Sequence, residues 1–350
     1  MTARQIDGFR GRVVPAGQLT KEEIATWDSF CRQYSDLTNA FLSPHYCLSV
    51  AACRPDVYVG VIEKDQEIVG FFPFQFRTRA HAVLGFAERV GEEMTDYFGL
   101  VARPDLRLES TSLLRLVDVQ YLSFTHLEET QLRYGLAGAA PEIGHQMKIK
   151  DPMTYWQELR TTHKKFVANA DRGWRQIESQ IGPLKFTPEA DRQTELTRLI
   201  DCKSQQYNKS GRPDLFTTTW KKNLLHRLAG LGEGTCSGML STLYAGDTWV
   251  ASHFGIRCQD VLHYWFPVYN PELQRFGPGR LLIKAFIDAS ENLGIHMIDR
   301  GAGTAPHKAE CSNQTHTYYL GIWRRAGVRS SLARVAESAR WRMERWRTSS

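Results

Sequence analysis

The sequence of 350 residues lacks any run of 18 or more apolar residues, so it predicts no membrane-spanning helix. Its first residues, MTARQIDGFRGRVVPAG, have no apolar centre of the kind that a secretory signal needs. The seven cysteines are odd in number and scattered, without a Cys-x-x-Cys pair or a Cys/His spacing that suits zinc. We therefore expect free thiols in a reducing cytosol and no metal site.

Most of the chain carries no net charge. The net charge is +6, and the residues from Trp323 to Ser350 supply all of it, with eight arginines and two glutamates. A neutral body argues against a nucleic-acid partner, because phosphate contacts need a basic face. The tail 324–350 has the composition of a basic amphipathic helix at an anionic membrane, and a helix packed on the protein body is the alternative. The expected location is cytoplasmic, with peripheral contact at the inner face of the membrane left open.

Length and pattern predict two halves that meet near residue 145, in the stretch YGLAGAAPEIGHQ. The first half contains a helix with a capping box at Thr20 and Glu23, and then a hairpin around the polar turn EKDQE. The second half opens with one long helix over 151–179 and two further helices, followed by a three-stranded meander. The hairpins of the two halves are weakly alike, which suggests a duplicated fold.

A glycine motif follows the meander. Gln274-x-x-Gly277-x-Gly279 lies between a predicted strand and a predicted helix. Bare backbone amides at a helix start bind anions such as a diphosphate, and an ordinary tight turn is the alternative. The spacing fits neither a P-loop nor a Rossmann fingerprint.

The ordered set of segments resembles the GNAT superfamily of N-acetyltransferases. More narrowly, it is similar to the CelD/BcsL (cellulose-biosynthesis-type) acetyltransferases, which have two GNAT-like halves as the FemAB peptidyltransferases do. The segments that carry the resemblance are TDYFGLV, THKKFVANADRGWRQIE, LIDCKSQQYNKSGRPDLF and the stretch from Ala251 to Gly303. The resemblance implies an α/β (α+β) fold in which each half is a mixed, mostly antiparallel sheet flanked by helices. It also implies a non-catalytic half over 1–145 and an acyltransferase half over 146–323.

The implied activity is transfer of an acetyl group from acetyl-CoA, or another acyl-CoA, to a primary amine of a sugar or small metabolite, in cell-surface polysaccharide biosynthesis. Two alternatives stay open. One is a FemAB-like transferase that uses aminoacyl-tRNA, and the other is a non-catalytic, membrane-associated accessory protein of a polysaccharide synthase. The resemblance implies a cofactor site made of the following residues: Phe266, Val268, Gln274, Arg275, Phe276, Gly277, Pro278, Gly279 and Arg280.

Three residues are candidates for catalysis. Asp299, at a strand end, would orient the amine or take its proton, or it would merely cap the loop before Gly301. His253 would act as a base or be a satisfied core histidine. Lys308 would bind an acidic acceptor or pair with Glu310. The family usually has a Tyr-Lys pair where this chain has His307 and Lys308, which puts any proton transfer by that tyrosine in doubt.

Other polar positions carry weaker hypotheses. Lys164, Lys165 and Arg172 would grip phosphates of a nucleotide-linked acceptor, or form a solvated helix face. The loop QQYNKSGRPDLF would line the acceptor site. Tyr269 and Tyr318 would protonate the departing thiolate, or simply pack.

Overall fold

The computed structural model describes residues 3–232, 235–303 and 306–326, without the side chains of residues 306 and 307. The chain divides into two compact units. Among the described residues, the first unit comprises those up to Glu142 together with 317–326, and the second comprises those within Ile143–His316. Each unit has its own hydrophobic core.

The first unit begins with a hairpin and then alternates helices with strands. Its elements are β1 (Arg4–Ile6), β2 (Phe9–Pro15), α1 (Lys21–Gln33), α2 (Pro44–Cys53), β3 (Val57–Lys64), β4 (Glu67–Phe76), α3 (Arg79–Leu84), β5 (Phe86–Glu88), β6 (Val101–Ala102), α4 (Ser110–Leu116) and β7 (Tyr121–Glu128). The capping box predicted at Thr20 and Glu23 is present at the start of α1. The predicted hairpin is β3 and β4, which pair antiparallel.

The second unit places four helices before its meander. Its elements are β8 (Ala140–Lys148), which enters it from the first unit, α5 (Pro152–Thr162), α6 (Lys164–Gln180), β9 (Leu184–Thr187), α7 (Arg192–Lys209), α8 (Thr219–Ala229), β10 (Ser237–Ala245), β11 (Thr248–Cys258), β12 (Val261–Tyr269), α9 (Pro278–Ala289), β13 (Met297–Ala302) and α10 (Pro306–Ala309). The last strand, β14 (Gln314–Arg324), leads back into the first unit.

The sheets are mostly antiparallel, as predicted. In the first unit the strand order is β1-β2-β3-β4-β5-β7-β14, and β6 pairs with β4. In the second unit it is β8-β13-β12-β11-β10-β9. Parallel pairing occurs between β5 and β7 and between β12 and β13. The fold is thus a mixed α/β arrangement in which helices flank a large, mostly antiparallel sheet.

Two boundaries differ from the sequence predictions. The predicted division at residue 145 falls inside β8, which pairs with β13 through Gln146, Met147 and Lys148. The Gly/Ala/Pro composition of YGLAGAAPEIGHQ is typical of a loop. Pairing with β13 nevertheless makes its residues from Ala140 onward part of a strand. β14 begins within the predicted second half, 146–323, and from Tyr318 onward it pairs with β7 of the first unit.

The single helix predicted over 151–179 is two helices. His163, with φ −129° and ψ 50°, separates α5 from α6. The hydroxyls of Thr161 and Thr162 both donate to the carbonyl of Glu158, 2.8 and 3.0 Å away. Side-chain bonds of this kind compete with the helical backbone pattern, which explains the break.

Candidate active site

In the second unit, the parallel strands β12 and β13 part after a short paired stretch. These parallel strands pair at Val261, Leu262 and His263, opposite Met297, Ile298 and Asp299, and not beyond. β13 continues along β8 to Ala302, while β12 continues along β11 to Tyr269. The six residues of β12 after His263 therefore have an edge that β13 does not cover.

The backbone direction along this edge follows from alternation. The N–H of Asn270 donates to Val250 of β11, 2.9 Å away, and the carbonyl of Pro267 instead accepts from Lys203 Nζ at 3.3 Å. Because successive residues of a strand point their backbone groups to opposite edges, Phe266 and Val268 face β11. Their Cα partners are Phe254 and Ser252. The backbone amides of Phe266 and Val268 therefore point away from the uncovered edge, and both side chains are buried in the core.

The start of α9 is bare of side chains on one side. Gly277, with φ 70° and ψ 53°, caps the helix, and Pro278 begins it. A Cβ on Gly279 would meet no atom within 4 Å, so space is open beside its Cα. The amides of Arg280 and Leu281 both donate to the carbonyl of Gly277. The mouth of the helix is thus unobstructed at Gly279, where a diphosphate oxygen could approach the backbone.

The turn before this helix is anchored by the protein itself. The carbonyl of Gln274 accepts the Gly277 N–H at 3.0 Å, and Arg275 donates to Gln180 of α6 at 3.1 Å. The Phe276 ring is buried in the core, so it supports the turn rather than facing a cofactor. A Cβ on Gly173 of α6 would lie 2.1 Å from the carbonyl oxygen of Phe276. The turn consequently rests directly on the α6 backbone.

Asp299 is at the point where the strands part. Its side chain is 4% exposed. Oδ1 accepts from the Gly301 N–H at 2.6 Å and Oδ2 from Gln146 Nε2 at 3.1 Å. The loop-capping contact considered from the sequence is therefore present. The carboxylate also counteracts the burial that lowers the pKa of His263, the residue opposite it.

His253 is part of the packed interior. It is fully buried, stacked on Tyr264 at 4.2 Å, and set edge-on against Phe286 at 5.0 Å. Its Nε2 accepts from the Trp265 N–H at 3.2 Å. Burial, with the charges of Arg300 and Lys203, lowers its pKa to about 3, so the ring is neutral at pH 7. This environment is that of a structural histidine at the irregularity in the β11–β12 register.

Lys308 lies beside the end of β13. Its Nζ donates to the carbonyl of Ala302, and it would be 3.7 Å from a Cβ on Gly303. Its charge contributes to lowering the pKa of both Lys203 and His145. The positions of Lys308, Asp299 and the parting of β12 from β13 thus belong to one region of the second unit. The predicted catalytic roles of Asp299, His253 and Lys308 stay predictions.

The sequence reasoning missed three polar residues of this region. Lys203 is half-buried on α7. Arg300 is 8% exposed and lies over the Tyr264 ring at 5.3 Å. His263 is buried opposite Asp299, with its pKa lowered to about 4, mainly by burial. Each sits in a segment whose pattern predicts only a regular helix or strand. Strand pairing places His263 opposite Asp299, and the contact of α7 with β12 places Lys203 beside Pro267.

The remaining candidates have the following positions. Lys164, Lys165 and Arg172 are on α6, where Arg172 donates to Asn169 at 3.0 Å. The loop after α7 ends in a 3₁₀ turn at Leu215–Thr217. Tyr269 is exposed at the end of β12, whereas Tyr318 is buried in the first unit and stacked on His126 at 4.8 Å. The tail beyond residue 326 lies outside the described residues.

The described residues were compared with the requirements of a metal site and of a membrane-spanning helix. No set of three or more His, Cys, Asp or Glu side chains in the described ranges is arranged to hold a metal ion. Of the helices that the structure describes, none combines the length and apolar character of a membrane span.

Comparison with known proteins finds a similarity within the second unit. Residues 164–309 match the family model described as the acetyltransferase (GNAT) domain. This segment contains the helices α6 to α8, the meander, the α9 mouth and the region around Asp299. None of the curated proteins matches the chain.

Solved structures share the fold of the whole chain. FemX is similar over 89% of this chain and 96% of that one, with a TM-score of 0.55 and 10% identity. The C-terminal domain of a putative lysylphosphatidylglycerol synthetase from Agrobacterium fabrum covers 91% of this chain and 95% of that one, with a TM-score of 0.53 and 11% identity. A tandem GNAT protein from the clavulanic acid biosynthesis pathway covers 91% and 99%, with a TM-score of 0.51 and 9% identity. The likeness extends over both units, so the fold is of the tandem GNAT kind.

Proposed function

We propose that the second unit is an acyl-CoA-dependent N-acyltransferase that moves an acetyl group to a primary amine. The observation that carries the proposal is the uncovered edge of β12, which ends at Tyr269 and is followed by the start of α9, where space is open beside Gly279. An extended pantetheine arm suits a strand edge, and a diphosphate suits a helix N-terminus. The matched GNAT segment includes both features.

The reaction needs few groups from the protein. The neutral amine attacks the thioester carbonyl carbon, the carbonyl electron pair moves to oxygen, and the C–S bond breaks as the carbonyl re-forms. The amine loses one proton and the coenzyme leaves as a thiolate, so the charges on the two sides of the reaction are equal. The protein has to place the two reactants, stabilise the oxyanion and accept the amine proton.

Asp299 is our candidate for accepting that proton, directly or through a water. Its Oδ1 accepts from the Gly301 N–H and its Oδ2 from Gln146 Nε2. These contacts fix the orientation of the carboxylate at the point where β12 and β13 part. A variant Asp299→Asn would keep the shape and remove the base.

The acceptor class rests on the resemblance of the sequence to the CelD/BcsL branch. On that basis we propose an amine of a sugar or small metabolite, in assembly of cell-surface polysaccharide. Contact of the basic tail with the inner face of the membrane is part of the same proposal. A screen for thiol release from acetyl-CoA, with amino sugars and nucleotide-linked amino sugars as acceptors, would identify the substrate.

Isothermal titration with acetyl-CoA tests the cofactor directly. The sharpest variant is Gly279→Leu, because a side chain there meets no protein atom yet occupies the space in front of the amide. We expect an unchanged or higher melting temperature, since leucine favours a helix over glycine by about 1 kcal/mol, and at least tenfold weaker binding. Gly17→Leu is the matched control, because that glycine also has open space and lies in the first unit. Equal affinity in the two variants, or no binding by the unaltered protein, would refute the cradle.

A further inference from the structure

The uncovered edge of β12 has few amide donors. Pro267, whose backbone faces this edge, has no N–H. Two residues earlier, the amide of Trp265 donates to His253 Nε2. The next outward amide belongs to Tyr269, about 7 Å further along the strand. A thioester carbonyl placed beside Pro267 would therefore lack the backbone donor that a strand edge ordinarily offers.

Lys203 occupies this position. It projects from α7, and its Nζ lies 3.3 Å from the Pro267 carbonyl oxygen and 3.4 Å from Gln206 Oε1. The ring of Tyr207 lies 5.5 Å from the same nitrogen. None of the ion pairs among the described residues includes Lys203. An ammonium has three donors, and these contacts leave at least one for a ligand.

We propose that Lys203 Nζ donates a hydrogen bond to the thioester carbonyl oxygen and stabilises the oxyanion, in place of a backbone amide. The inference rests on the proposed acyltransferase function and deepens it. The ammonium keeps its proton throughout: it binds the oxygen as the carbonyl pair moves there and releases it as the C–S bond breaks. Lys203 is thereby a catalytic residue of the acyl transfer.

The surrounding charges suit this role. Burial, with the positive charges of Arg212 and Lys308, lowers the pKa of Lys203 to about 8. The side chain is therefore mainly protonated at pH 7 and loses its proton as the pH rises through 8. The positive charge of Lys203 favours a species that gains negative charge over the neutral thioester.

Isotope-edited infrared spectroscopy of bound [1-¹³C]acetyl-CoA reads the carbonyl directly. With the unaltered protein we expect the carbonyl band below its frequency in water at pH 7, and a return toward that frequency at pH 9.5. Lys203→Met should abolish the downshift, and Lys203→Arg should restore part of it. Lys209→Met, on the exposed end of the same helix, is the control and should leave the band unchanged.

The outcomes separate the two proposals. Absence of acetyl-CoA binding by the unaltered protein would overturn the proposed function and this inference together. Binding with a band that is the same in Lys203→Met and at both pH values would overturn the Lys203 role alone.

With an acceptor identified by the thiol-release screen, Lys203→Met should lower kcat at least about 100-fold, the usual loss for one oxyanion donor, with little change in KM for acetyl-CoA. A rise in KM for acetyl-CoA of that size, with kcat unchanged, would contradict the role. The pH comparison uses the unaltered protein, so it tests the idea even if Lys203→Met does not fold.

Discussion

Two buried histidines of the second unit are held neutral by their surroundings. The pKa of His253 is lowered to about 3 and that of His263 to about 4, in both cases chiefly by burial. In the unfolded chain each would titrate near 6.5. The unfolded state therefore binds more protons below pH 6.5, and stability is lost as the pH falls from there toward the folded pKa values.

Replacement of His253 tests this at a single residue. At pH 5 each histidine should cost about 2 kcal/mol of unfolding free energy relative to pH 7. His253→Gln keeps an acceptor for the Trp265 N–H but cannot titrate, so it should remove about half of the acid sensitivity of this unit. Urea unfolding at pH 7 and pH 5 measures the difference. An identical pH dependence in the variant would contradict burial as the cause, and His226→Gln, on the exposed side of α8, is the control.

The glycines of the α9 mouth were predictable from the sequence, but the direction of the β12 amides was not. Gly277 and Gly279 form a local pattern that sequence spacing reveals. The direction of Phe266 and Val268 depends on which edge of β12 faces β11, and therefore on the register after the irregularity at Phe254–Ile256. Lys203 gave no local signal either, because an isolated lysine on a helix is usually solvated. Its position becomes informative only when α7 is seen to pack on β12.

The contact between α6 and the turn before α9 gives a prediction at the scale of elements. In an exposed helix, Gly→Ala is stabilising by up to about 1 kcal/mol. At Gly173 the new methyl group would lie 2.1 Å from the Phe276 carbonyl oxygen, so α6 and the turn must separate. We expect Gly173→Ala to cost about 1–3 kcal/mol of stability and to weaken acetyl-CoA binding by shifting the α9 mouth.

Urea unfolding and titration with acetyl-CoA measure the two effects of this change. Gly17→Ala, at a glycine with open space, is the control and should alter neither quantity appreciably. A Gly173→Ala protein of unaltered stability would show that the turn can move aside freely.

The hairpins, the meander and the helix–strand alternation were predictable because each is encoded by local periodicity. The break at His163 was not, since the residues on either side of it are acceptable in a helix and the competing bonds come from Thr161 and Thr162. β8 was missed for the opposite reason. Its own residues favour a loop, and the strand exists because β13 pairs with it.

At the scale of the whole molecule, β14 completes the core of the first unit. Trp323 is buried there, with its ring 4.6 Å from that of Phe124 and its Nε1 2.7 Å from the Ala137 carbonyl. Trp323→Ala should cost about 3–5 kcal/mol of unfolding free energy because it leaves a large cavity. Ile322→Ala, on the same strand at a side chain that is 39% exposed, should cost under about 1 kcal/mol. Urea unfolding of both variants measures these losses of unfolding free energy. Equal losses in the two variants would show that Trp323 is not part of the core.

The return of β14 imposes an order on synthesis. A ribosome releases all of the second unit, residues 143–316, before it makes the strand that pairs with β7. Until then the nascent amino-terminal unit presents the side of β7 that β14 will cover, with its backbone donors and acceptors unmet, and such an edge invites pairing with other chains. The first unit is thus the last to close, and its maturation waits for translation of Tyr318–Arg324.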